Sequence, residues 1–235
     1  MERHDRHVRR ISYTFGPLGY GGVETLGFRF VVEDVKVQTP LDMLLDSFDD
    51  ADLVALASHK PDFGGPWIKI SPGAAGYEIF GNRARTNGGT NDYPEHQAQA
   101  AADFDLTVKA FLPNTTEFMG VVFRANGVNT WSGSLANGGK MLEISAAGYF
   151  RVWGWDSGSL AVDATGSAAD IVSGQELTIR IRAVAGLIKC YSQGNERISY
   201  TATSHLANRF VGFQYNKDQT PGQGAYFDAL QVKMP

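Results

Sequence analysis

Apolar and polar residues alternate with a period of two along most of this chain, in short runs cut off by Gly, Asn, Asp and Ser. Such a pattern specifies antiparallel sheet with one buried face. In 117–124, Met119, Val121 and Phe123 fall on one face and Gly120, Val122 and Arg124 on the other, so the first set is the expected core. In 177–182, Leu177, Ile179 and Ile181 point inward while Thr178, Arg180 and Arg182 point out; in 210–215, Val211, Phe213 and Tyr215 are inward and Gln214 outward. Strands are predicted over 67–70, 77–80, 104–111, 117–124, 140–145, 149–155, 177–183, 187–191, 198–203, 210–215 and 226–232. A modest helix is predicted over 95–102, which is rich in Ala and Gln. The closing run 225–232 echoes 46–50, so the ends of a two-sheet sandwich are expected to meet.

Residues 1–41 differ from the rest. Strand-like runs at 11–15 and 26–32 flank a Gly-rich turn at 16–22, which suits a hairpin or docking arm. A lone hairpin is marginal in water, so it is expected to pack on something larger. Arg3, Arg6, Arg9 and Arg10 stand against an acidic stretch at 33–50, which polarises the segment. Residues 40–45 read as a linker or helical turn, and the sandwich is expected to occupy 42–235.

The 235 residues suffice for one large all-β core with an extension. A net charge of −4 with no long basic run speaks against nucleic acid as a partner. No apolar run reaches the length of a membrane span, and none of secretory length follows Met1, so the protein is expected to be made without a signal peptide. Cys190 stands alone in an apolar run and allows no internal disulfide; an inert, buried thiol is the expectation. The histidines are scattered, and the Gly-rich turn at 16–22 leads into a strand, so it cannot cradle phosphate at a helix N-terminus.

One surface candidate emerges from the alternation. If Phe150 and Val152 face the core, Tyr149, Arg151, Trp153 and Trp155 share the opposite face, and aromatic rings beside a guanidinium can stack on sugars and bond their hydroxyls. Arg124, Arg180, Arg182 and Gln214 would join them if their strands lie in the same sheet. Core packing and a subunit interface are the competing readings of the same residues.

The runs GVVFRANGVNTW (120–131), LEIS (142–145), YFRVW (149–153), LTIRIRA (177–183), IKCY (188–191), LANRFVGF (206–213) and YFDALQV (226–232) resemble concanavalin A-like or laminin-G-like jelly rolls. The likeness spans roughly residue 46 to the C-terminus. Such domains occur in glycan-binding proteins and in phage minor tail proteins. The resemblance implies an all-β, two-sheet antiparallel jelly-roll sandwich, and a non-enzymatic virion component is the leading reading. On that reading the host cytoplasm is the site of synthesis, residues 1–41 dock on other tail proteins, a homo-oligomer forms with a trimer favoured, and a host cell-surface glycan is the candidate ligand. A free lectin-like module is the alternative, and a diverged glycoside hydrolase the third reading. Related hydrolases carry Glu-x-Asp-x-x-Glu on one strand, and no such string exists here. No cofactor is expected apart from calcium, for which Asp46, Asp49, Asp50 and Asp228 are weak candidates; turn capping by Asp is the favoured account of them.

Overall fold

The computed structural model describes residues 42–70, 76–86, 95–115, 118–128, 138–156, 159–215 and 225–235. Through them run fifteen strands: β1 (Asp42–Asp46), β2 (Ile68–Lys69), β3 (Tyr77–Ile79), β4 (Ala84–Thr86), β5 (Glu95–Gln99), β6 (Phe104–Phe111), β7 (Phe118–Ala125), β8 (Lys140–Ser145), β9 (Tyr149–Asp156), β10 (Ser159–Thr165), β11 (Glu176–Val184), β12 (Leu187–Ser192), β13 (Asn195–Thr201), β14 (Phe210–Tyr215) and β15 (Tyr226–Lys233). The arm expected at 1–41, with its runs at 11–15 and 26–32, lies outside the described residues.

Two antiparallel sheets form the sandwich. The first has the order β13-β12-β11-β6-β15-β4-β3, with β1 also on β15, and the second β10-β9-β8-β7-β14-β5-β2. The inward sets of the alternating strands meet between them: Leu106 and Val108 of β6, Ile179 and Ile181 of β11, Met119, Val121 and Phe123 of β7, and Val211 and Phe213 of β14 are all fully buried. An aromatic column ties the layers together. Phe213 of the second sheet stacks on Phe227 of the first at 3.9 Å between centroids, and on Trp67 at 5.2 Å. Cys190 lies in this core, where burial pushes its thiol pKa up.

The ends do meet, in a different register from the one expected. β1 pairs with β15, setting Asp42 opposite Lys233 and Asp46 opposite Leu230, so residues 42–46 form a strand and not a linker or helical turn. Leu44 explains the choice, because it enters the core completely. The predicted helix at 95–102 is likewise overturned: β5 lies between β14 and β2, with Ala98 in the core. Its helix-forming Ala and Gln are worth a few tenths of a kcal/mol each, roughly, less than a place in the ladder with a buried face. The short β4 and the edge strand β10 are further strands that the alternation did not reveal.

Candidate functional site

The β8–β9 hairpin turns through residues 146–148, where Gly148 takes a φ of +108° that a side chain would strain. Its closing pair, Ser145 with Tyr149, fixes everything further along: Glu143 faces Arg151, and Met141 faces Trp153. Phe150 and Val152 are fully buried in the core, so Tyr149, Arg151, Trp153 and Trp155 lie on the outer face as the alternation requires.

Residues two apart on a strand stand about 6.7 Å apart on one face, close enough for long side chains to meet. Arg151 accordingly sits between its neighbours, its guanidinium carbon 4.3 Å from the Tyr149 ring centroid and 4.6 Å from that of Trp153. Glu143 anchors the group from across the hairpin. Arg151 Nε donates to Glu143 Oε2 at 2.5 Å, Arg151 Nη2 donates to Oε1 at 3.2 Å, and the Trp153 indole N–H also donates to Oε2. One buried carboxylate thus sets the orientation of both the guanidinium and the indole.

Two rows cross the outer face of the second sheet through the ladder. One is polar, running Glu95, Gln214, Gly120, Glu143, Arg151, Thr165, and the next is mostly apolar, running Gln97, Gly212, Val122, Met141, Trp153, Val162. Val122, Ala125 and Met141 form a small second cluster with Trp153 and Phe210 packed on it. The rows open to solvent at the β9–β10 end. Tyr149 is 44% exposed and Val162 42%, whereas Glu95, Gln97 and Gln214 are wholly buried. Gln97 donates to Glu95 and to the Val128 carbonyl while accepting from the Gly127 N–H. Both amide atoms of Gln214 are buried without a hydrogen-bond partner among the described residues.

The remaining members of the predicted patch are placed elsewhere. Trp155 is on the correct face yet only 5% exposed, and its carbonyl accepts from His205 Nε2 at 2.6 Å. Gln214 belongs to the face but is too deep to be touched from solvent. Arg124 leaves it altogether. The register between β7 and β14 slips near Arg124, whose φ is +46°, and its guanidinium reaches the Ala185 carbonyl and, at 3.5 Å, Asp103, both belonging to the first sheet's end of the sandwich. Burial of that guanidinium lowers its pKa. Arg180 and Arg182 are on β11, hence on the far side of the molecule. Arg180 is held by Asp105 through two hydrogen bonds, and Arg182 lines a shallow groove of about 220 Å³ with Val184, Leu187 and Lys189.

The calcium candidates do not form a cage. Asp46 Oδ1 accepts from Phe48 N–H at 2.7 Å and contacts His59 Nε2 at 2.8 Å, while Oδ2 accepts from the Trp67 indole at 2.5 Å. Asp50 caps Ala51 N–H and meets His59 Nδ1 at 3.2 Å, Asp49 is exposed, and Asp228 sits beside the register slip of β15. With the oxygens of Asp46 already taken, these residues do not fit the ion. Among the described residues no cluster of three or more His, Cys, Asp or Glu could hold a metal.

Glu95 and Glu143 share the outer polar row three strands apart, Glu95 fully buried and Glu143 bonded to Arg151 and Trp153.

Sequence reasoning missed Glu143 as a member of the patch, although counting back from the hairpin turn places it opposite Arg151. Val162 was missed with its strand.

No family model matches the chain, and no curated protein matches it. Solved structures do. A carbohydrate-binding module, CBM66 from Bacillus subtilis, aligns with a TM-score of 0.51 at 15% identity over 71% of this chain and 94% of its own. The carbohydrate recognition domain of Emp47p aligns at 0.55 and 12% identity over 81% and 97%, and the exoplasmic/lumenal domain of VIP36 in its Ca²⁺-bound form at 0.56 and 10% over 78% and 90%. The fold is a concanavalin A-like jelly-roll sandwich. Two of the three are described as a carbohydrate-binding module and a carbohydrate recognition domain; identities this low carry the fold and nothing finer.

Proposed function

We propose that this jelly roll is a non-enzymatic carbohydrate-binding domain whose contact surface is the β8–β9–β10 end of the second sheet. The observation that carries the reading is the Tyr149–Arg151–Trp153 ladder on an accessible sheet face, braced by Glu143. Aromatic rings offer flat surfaces to the C–H faces of a pyranose, and the guanidinium hydrogens left free by Glu143 can donate to its hydroxyls. Val162 extends the apolar row beside Trp153. The neighbours described as a carbohydrate-binding module and a carbohydrate recognition domain support the reading at the level of fold.

The free lectin-like module is therefore favoured over the virion component. A tail-protein role rests on the sequence resemblance alone, and there the same face would be the one turned to a host glycan while residues 1–41 dock on the particle.

The test is glycan-array binding followed by titration of the best oligosaccharide. Trp153→Ala and Tyr149→Ala are expected to weaken it, by about tenfold or more for Trp153, with the fold retained by circular dichroism. Undiminished binding in both variants would move the contact surface off this face.

A further inference from the structure

The charges on the exposed end of this face are balanced in a way that bears on what it selects. Arg151 is partly exposed at 26% of its side chain, and Glu143, 5% exposed, lies directly beneath it with both oxygens committed to Arg151 and Trp153. The nearest other carboxylate in the row, Glu95, is three strands away and fully buried. Lys140, the cation next along β8, points to the other side of the sheet, where Asp163 and Ser204 hold it at 2.7 and 3.0 Å. A ligand lying on Tyr149 and Trp153 therefore meets a guanidinium whose charge is cancelled at contact distance by a fixed carboxylate.

Resting on the carbohydrate-binding reading, we infer that the face selects uncharged saccharides and that Glu143 is the residue that sets this selectivity. A sugar carboxylate brought to the free edge of Arg151 would feel the attraction of the guanidinium and, a few ångströms further, the repulsion of Glu143. The attraction left after that repulsion is too weak to offset the carboxylate's loss of hydration on contact. A neutral sugar meets neither cost, accepting from the remaining guanidinium hydrogens and stacking on rings that Glu143 keeps in place. Glu143 is thus a positioning residue for Trp153 and a charge filter for the ligand.

The experiment compares neutral and uronate-bearing oligosaccharides of equal length by isothermal titration at low and high salt. Wild type is expected to favour the neutral ligand, with little salt dependence. Glu143→Gln keeps an oxygen for the Trp153 N–H but unmasks Arg151, and is expected to raise uronate binding relative to neutral by about tenfold at low salt, a gain that high salt removes. Pairing it with Arg151→Gln should restore the neutral preference. Arg151→Gln alone reads the same balance from the exposed side: with Glu143 uncompensated, uronate binding should fall further. A wild-type preference for the uronate ligand, or a ratio unmoved by these variants, overturns the inference. Wild-type protein that binds neither ligand class sinks the carbohydrate reading itself, a result visible before any variant is made.

Discussion

Two buried histidines respond to pH in opposite directions, and the reason lies in what each ring touches. His59 is 4% exposed between Asp46 and Asp50. Burial works against its charge, but the hydrogen bonds and charges of the two carboxylates outweigh it, and its pKa is raised above 6.5. Its contribution to stability is complete below pH 6.5 and is lost as pH climbs through the raised value. His96, 1% exposed and edge-on to Tyr77, has its pKa lowered to about 3 by burial and by the charge of Lys69. Its neutral form supports the fold undiminished above pH 6.5, and stability then declines toward pH 3, by on the order of 5 kcal/mol in all. Urea melts across pH should therefore show an acid-side decline that His96→Leu flattens and an alkaline-side decline that His59→Gln flattens. His59→Gln should also cost about 1–3 kcal/mol at pH 6, where its charged hydrogen bonds are lost.

Among the strands, β1 closes the molecule. It meets the lower half of β15, while β4 takes the upper half of the same edge at Tyr226 and Phe227. Leu44 is its single fully buried apolar anchor, and Asp46 at its end gathers the Phe48 N–H, His59 and Trp67. Leu44→Ala should cost about 2–5 kcal/mol by chemical denaturation. Asp46→Ala, which leaves buried donors unpaired, should cost about 3 kcal/mol. A change at exposed Leu53 should be near neutral by comparison. The β8–β9 hairpin plays the equivalent part for the candidate site, since its short turn dictates which side chains stand opposite one another.

Across the whole sandwich, the layers are held by inward residues from both sheets, with the Trp67–Phe213–Phe227 column as their aromatic bridge. Phe213→Ala should destabilise by about 3–5 kcal/mol. Cys190 offers an internal reporter: it is fully buried and its thiol pKa is pushed up, so a thiol reagent should modify it at a rate that follows unfolding. Rapid labelling of the native protein, with no dependence on denaturant, would show that the core opens locally around β12.

Period-two patterning alone was enough to place Met119, Val121 and Phe123 in the core, because a strand's faces are set by its own local geometry. For β9 and for Cys190 it left two phases open, and the burial of Phe150, Val152 and Cys190 in the folded sandwich chose the one that turns Tyr149, Arg151 and Trp153 outward. It could not assign strands to sheets. Arg180 and Arg182 have the same outward phase as Arg151 but belong to the opposite layer, a matter of long-range pairing that no short window contains. Nor could it foresee the slip that turns Arg124 inward or the full burial of Gln214, since both depend on neighbouring strands. The strands at 42–46 and 95–99 were hidden for the same reason, their weak local preferences being overruled by ladder partners distant in the chain. The composition of the candidate site was thus settled in tertiary contact, when Glu143 came to lie beneath Arg151.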